Sequence, residues 1–270
     1  MEYMALFLIG LIAGTFGSLF GVGGGIIVVP SLLFLNSLNL FDPAIRSQNA
    51  VGISLMVMIF TAISSTLYNI KGKRVDINSG LTFFMASGPA SVIGAMINES
   101  LPIKSFYILF GLLMVLITYL LAKQKKMKPK QVKWTVNREY IDLKGNRHEY
   151  GYNRTVGFLI PAFAGLLAGL FGIGGGIILV PMMVLLFRFP PHVATATSMF
   201  IILLSASIGS ISHILLGNVI YSYVLAIAPG AYLGGKLGSY FATKLSSQSL
   251  ILAFRIFILL IAIQMIYKGL

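Results

Sequence analysis

Long apolar runs broken at matching places in two halves dominate this chain. In the first half they cover roughly residues 3–20, 24–38, 47–70, 77–98 and 103–122, and in the second roughly 157–171, 175–187, 192–216, 219–243 and 248–267. Runs of about 20 apolar residues predict helices that cross a hydrocarbon core about 30 Å thick. The first two runs of each half need separate treatment. Joined, they would make 36 or 31 residues of helix, far longer at about 1.5 Å per residue than the bilayer is thick. Each pair therefore predicts either one steeply tilted, broken helix or two short helices that meet and turn back as a re-entrant hairpin.

The break is written twice. Residues 19–30, LFGVGGGIIVVP, return at 170–181 as LFGIGGGIILVP, with ten of twelve positions identical. Gly21, Gly23, Gly24 and Gly25 in one copy, and Gly172, Gly174, Gly175 and Gly176 in the other, stand where a membrane helix would otherwise continue. Pro30 and Pro181 each follow five residues beyond the last glycine. Duplicated, broken helices are how many carriers build a site at mid-membrane. The expected fold is an all-α membrane protein of two homologous repeats, residues 1–122 and 156–270. Each repeat has a glycine-broken, re-entrant first helix pair plus three transmembrane helices.

Between the repeats, residues 123–155 change character. Val132 to Leu143 and Arg147 to Tyr152 are polar, interspersed with Trp, Tyr, Val and Ile, and flank Lys144-Gly145-Asn146, which predicts a small β-hairpin. From Lys123 to Arg154 the segment holds ten of the twenty Lys and Arg residues against three acids, a net +7 within a chain of +13. Such clustering between spans marks a cytoplasmic loop. It reads as a topology signal with affinity for anionic headgroups, with no nucleic-acid partner implied. Counting back along the spans puts Lys71, Lys73 and Arg74 on the same side, whereas Leu216 to Val219, their counterpart, carries no charge. Inverted repeats would produce that asymmetry; parallel four-span repeats with a tilted first helix are the alternative.

Composition narrows the chemistry. With 57% hydrophobic and 10% charged residues, and a mean hydropathy of +0.90, most of the surface faces lipid. The segment from Met1 reads as a membrane helix, not a cleaved signal. The chain has no cysteine, so thiolate metal sites, disulfides and thiol catalysis are excluded. Glu2, Asp42, Asp76 and Glu99 lie at the edges of apolar runs and none lies within one, which removes a carboxylate proton relay and the usual ligands of a cation carrier. No catalytic pair can be assembled from the spans, and no cofactor or metal is called for.

An anion is a better fit. A helix starting after Gly25 or Gly176 offers unpaired backbone N–H groups and the positive end of its dipole, and glycine lets a ligand approach closely. Close helix packing through small residues is the competing explanation. Neither cluster is followed by Lys-Ser or Lys-Thr, so a nucleotide phosphate loop is not indicated. An offset of 144 residues aligns Asn49 to Leu55 with Val193 to Met199. Asn49, Ser54, Thr195, Thr197 and Ser198 are then candidate donors to the anion, or bond their own helix backbone. The same offset pairs Asn69 with His213, a candidate carrier of a coupling proton or an interfacial group. Of the basic residues near run ends, Lys104, Arg188, Lys236 and Lys244 read as snorkelling anchors, and Arg46 and Arg255 stand out as candidates for coupling or gating.

These residues carry a family resemblance. The duplicated Gly-x-Gly-Gly-Gly with its proline, Ala-Thr-Ala-Thr-Ser-Met at 194–199, His213 before Gly217-Asn218-Val219, and Pro229 with Gly230, Gly234 and Gly238 resemble the sulfite exporter TauE/SafE family of permeases across nearly the whole chain. The resemblance implies a multi-pass plasma-membrane transporter of small sulfur-containing anions such as sulfite, sulfoacetate, thiosulfate or organosulfonates. The first half departs from it, since Asn49 to Leu55 lacks the Thr-Ser pair of Thr197-Ser198. An anion channel and a membrane scaffold recruiting a partner through the basic loop remain the alternatives; oligomeric state is left open.

Overall fold

In the computed structural model, which describes residues 2–38, 45–123, 134–141, 147–243 and 248–270, the apolar runs are helices and each glycine cluster separates two of them. The order is α1 (Glu2–Phe20), α2 (Gly25–Ser37), α3 (Ser47–Lys71), α4 (Ile77–Glu99), α5 (Ile103–Lys123), β1 (Val136–Ile141), β2 (Arg147–Tyr152), α6 (Arg154–Phe171), α7 (Gly176–Leu185), α8 (Pro191–Leu215), α9 (Tyr221–Ala242) and α10 (Gln248–Gly269). Among the described residues, five helices, α1, α3, α4, α6 and α8, are long and apolar enough to cross a membrane. At 13 and 10 residues, α2 and α7 are too short to span about 30 Å at about 1.5 Å per residue.

Local chemistry sets the helix ends. The Asp76 carboxylate accepts the Ser79 amide to start α4, the Asn153 side-chain oxygen accepts the Thr155 amide to start α6, and Pro191 opens α8, where its missing N–H costs nothing. At each break the chain folds back on the helix it has just left. A Cβ on Gly24 would fall 2.6 Å from the Ala13 carbonyl oxygen, and one on Gly175 would fall 2.7 Å from that of Ala164.

Helices approach one another along glycine seams, because lipid supplies little hydrophobic drive between them and close backbone contact must supply it instead. Gly230, Gly234 and Gly238 of α9 meet the carbonyls of Phe7, Leu11 and Thr15, so α9 runs parallel to α1. Gly165 and Gly169 of α6 meet those of Ser87 and Ser91, so α6 runs parallel to α4. In contrast, Gly52 lies beside His213 and Asn218 while Gly209 lies beside Leu55, which makes α3 and α8 antiparallel. Gly111 beside Ala262 and Gly269 beside Lys104 make α5 and α10 antiparallel as well.

The strands β1 and β2 pair antiparallel, Val136 opposite Tyr152 and Ile141 opposite Arg147; the expected turn at 144–146 lies outside the described residues. One face of this hairpin is core. Tyr150 and Tyr152 are buried, Tyr152 packs edge-on to Phe83 at 4.8 Å, and Tyr150 lies 4.2 Å from Phe189. The Gly151 amide donates to the Phe187 carbonyl at 2.9 Å, and the Tyr150 hydroxyl donates to Asp76 at 3.1 Å. Burial, followed by the charge of Asp76 and the hydrogen bond to it, raises the Tyr150 pKa, which keeps the phenol a donor. The hairpin therefore ties the start of α4 to the α7–α8 connection. That end of the molecule carries Lys71, Lys73, Arg74, Arg138, Arg147, Arg154 and Arg188, and the opposite end Arg46, Lys104 and Lys268.

Candidate substrate site where the two glycine breaks cross

The two breaks have the same backbone. Gly21, Gly23 and Gly24 have φ of 70°, 85° and 95°, and their counterparts Gly172, Gly174 and Gly175 have 68°, 76° and 63°. All six lie in the left-handed region that side chains disfavour. The repeated sequence thus encodes a repeated bend.

The breaks lie side by side in opposite directions. Gly25 presses on the carbonyl oxygen of Gly172, and Gly176 presses on that of Gly21, so closely that a Cβ at either position would overlap the oxygen. Each carbonyl is also held by a serine of its neighbouring long helix. Ser54 of α3 donates to Gly172 at 2.8 Å, and Ser198 of α8 donates to Gly21 at 2.8 Å. Both serines are fully buried. Among the described residues, nothing accepts a hydrogen bond from the amides of Gly24, Gly25 and Ile26, or from those of Gly175 and Ile177. Orphaned N–H groups in a dry interior are costly, and they are the groups an anion would satisfy.

The other residues singled out by sequence are spread along the molecule. Asn49 sits at the start of α3, where its side-chain oxygen accepts the Arg46 amide at 3.0 Å. The Arg46 guanidinium reaches the Asn218 oxygen at 3.5 Å, and the Asn218 amide donates to Glu99 at 2.6 Å. This cluster joins α3, α4 and the α8–α9 turn at the end opposite the hairpin. Thr197 lies toward the hairpin end, where its hydroxyl accepts the Asp76 amide at 3.0 Å. Thr195 bonds the Pro191 carbonyl of its own helix. His213 is fully buried and bonds the Gly169 carbonyl at 3.1 Å through Nε2, and its sequence counterpart Asn69 joins a cluster with Ser65 and Ser239. Arg255 lies on α10, its Nε buried with no partner among the described residues. The structure thus brings together the eight glycines, Ser54 and Ser198, and leaves Asn49, Thr197, Arg46, His213 and Arg255 outside that centre.

Two residues at the centre gave no sequence signal. Met58 and Ile202 are both fully buried and fill the space between the breaks. They are related by the same offset of 144 that pairs Ser54 with Ser198, but an apolar side chain in an apolar run is unremarked until its neighbours are known.

The family model described as Sulfite exporter TauE/SafE matches residues 6–265. The chain belongs to this family. It is 47% identical over 270 residues to the probable membrane transporter protein YunE of Bacillus subtilis, covering 100% of this chain and 99% of that protein. It is also 28% identical over 255 residues to the probable membrane transporter protein MJ0441 of Methanocaldococcus jannaschii, covering 91% and 88%. The sulfite exporter TauE/SafE family protein 6 of Arabidopsis thaliana is 35% identical over 102 residues, which are 37% of this chain and 23% of that one. This TauE/SafE chain is accordingly a multi-pass membrane transporter and not an enzyme.

Proposed function

We propose that this transporter moves small sulfur-containing anions, of the sulfite, thiosulfate, sulfoacetate or organosulfonate class, and holds the anion near mid-membrane where the glycine breaks cross. The observation that carries the reading is the meeting of two helix N-termini, α2 and α7, in one buried place where the amides of Gly24, Gly25, Ile26, Gly175 and Ile177 have no partner among the described residues. Backbone donors of this kind complement negative charge without a buried cation. Ser54 and Ser198 orient the carbonyls that line the crossing, and either hydroxyl becomes a donor to the anion if its carbonyl bond opens.

Two further observations support an inverted duplication with alternating access. Equivalent helices run antiparallel, α3 against α8 and α5 against α10, as a two-fold axis in the membrane plane requires. Polar contacts between the halves also close both ends, Asn218 with Arg46 and Glu99 at one and Thr197 with Asp76 at the other. A continuously open channel has no use for both. The basic end that bears the hairpin faces the cytoplasm on this reading.

Uptake of a panel of labelled sulfur oxyanions and organosulfonates into proteoliposomes, with and without a pH or sodium gradient, tests the proposal. Saturable uptake of at least one panel member supports it. Unitary currents would assign a channel, and indifference to the whole panel would remove the substrate class.

A further inference from the structure

We infer that Met58 is the movable plug of the central site and sets the size of anion it accepts; the inference rests on the central-site reading above. Its side chain reaches both breaks. The Met58 terminal methyl occupies the place a Cβ on Gly174 would take and lies 2.7 Å from one built on Gly23, while its sulfur lies 2.8 Å from one built on Gly25. The Ser54 hydroxyl, whose nearer acceptor is the Gly172 carbonyl at 2.8 Å, also points to the Met58 sulfur at 3.9 Å. One thioether therefore touches both glycine segments and the serine that holds them together.

Ile202 stands opposite, its Cδ1 2.7 Å from a Cβ built on Gly176 and its Cγ2 3.2 Å from one built on Gly23. The two walls differ in mobility. Isoleucine on a helix is confined to essentially one χ1 rotamer, whereas methionine has three unbranched side-chain torsions and a polarizable sulfur with no obligatory hydrogen bond. An anion entering between the breaks needs the volume that Met58 now fills. Met58 can vacate it by rotating its own chain, and Ile202 cannot without moving α8. As Met58 leaves, the space beside Gly23, Gly25 and Gly174 opens and the Ser54 proton loses its second acceptor. The glycines supply charge complementarity to any small anion; the space Met58 opens decides how large that anion is.

Competitive uptake of thiosulfate and the larger sulfoacetate in the same proteoliposomes tests this, because the ratio is independent of the amount of inserted protein. Met58→Ala is expected to raise the sulfoacetate-to-thiosulfate ratio by about tenfold, the scale on which a pocket discriminates by one or two methylenes. Met58→Leu, of similar volume but branched, is expected to keep the ratio and slow both anions. Should Met58→Ala fail to insert, Met58→Val is read in its place with the same expected direction. An unchanged ratio in an inserted, active Met58→Ala or Met58→Val variant overturns the inference. Gly24→Leu in the same assay separates the two claims: lost transport there with an unchanged Met58→Ala ratio retains the central site and rejects the plug, and retained transport in Gly24→Leu rejects the site itself.

Discussion

The two glycine breaks are alike in backbone and unlike in surroundings. Their positive-φ glycines superpose residue for residue in the sequence, and each presents one carbonyl to the opposite helix start and one serine to the opposite carbonyl. Met58 and Ile202 each reach both breaks, one as a flexible thioether and the other as a branched side chain. Beyond them, Asn69 of α3 joins a hydroxyl cluster with Ser18, Ser65 and Ser239, whereas His213, at the matching position of α8, bonds the Gly169 carbonyl. The comparison separates what the crossing requires geometrically, which is duplicated, from what each half contributes chemically, which is not.

The largest effects should come from breaking the geometry itself. Gly25→Ala and Gly176→Ala each place a methyl on a backbone oxygen of the other break, an overpacking worth about 1–3 kcal/mol. Both should reduce uptake by at least about 100-fold, the scale of a 1 Å misplacement at a reacting or binding centre, with protein still present in the membrane. Equal losses would mark the crossing as symmetric in use, and a loss at Gly25 alone would place the working site in the first half.

A smaller effect is expected at the serines. Ser54→Ala and Ser198→Ala each leave a buried glycine carbonyl without its donor, a cost of about 1–3 kcal/mol. Thermal unfolding in detergent should show similar destabilisation for both. Uptake should fall further for Ser54→Ala, because Ser54 also faces Met58; identical uptake in the two variants would show that the halves act alike.

Tyr150→Phe probes the hairpin, which lies between the two halves. Removing its hydrogen bond to Asp76 should cost about 1 kcal/mol and lower the unfolding temperature by about 2–4 °C. The rank order of transported anions should not change. A changed order would bring the hairpin into the permeation path.

The mildest perturbation concerns orientation. In this cysteine-free chain, Lys73→Cys and Leu215→Cys should each retain transport and label from opposite sides of the membrane. Leu215 is 82% exposed, unlike its buried neighbour Asn218. Labelling of both from one side would favour parallel repeats and dissolve the two-fold relation between the breaks.

Much of this was legible in the sequence because membrane spans are long, apolar and punctuated by glycine and proline, and because the repeat LFGxGGGII stood out from its surroundings. The helices follow the apolar runs closely, and the polar stretches Val132 to Leu143 and Arg147 to Tyr152 around Lys144-Gly145-Asn146 pointed to a hairpin, whose described strands are Val136–Ile141 and Arg147–Tyr152. Its depth was not legible: Tyr150 and Tyr152 are ordinary strand residues until Phe83, Phe187 and Phe189 are placed against them. Of the candidate residues, the glycines lie together with Ser54 and Ser198, and the fixed offset of 144 relates the two serine contacts. The sequence reading grouped Asn49 and Thr197 with them on proximity along the chain, and the structure sets these near opposite ends of α3 and α8, because those helices run antiparallel.

The sequence alone determined that the chain lives in lipid, that the segment LFGxGGGII occurs twice, and that the chain can bend at each glycine cluster, since these follow from hydropathy, identity and backbone sterics at single positions. Only the tertiary structure decided that the two bends touch, that Gly25 and Gly176 are glycine because a carbonyl of the other half occupies the place of a side chain, and that Met58 stands between them. Contacts between residues more than 100 positions apart depend on how the helices pack, and no local pattern of apolar and polar residues records that.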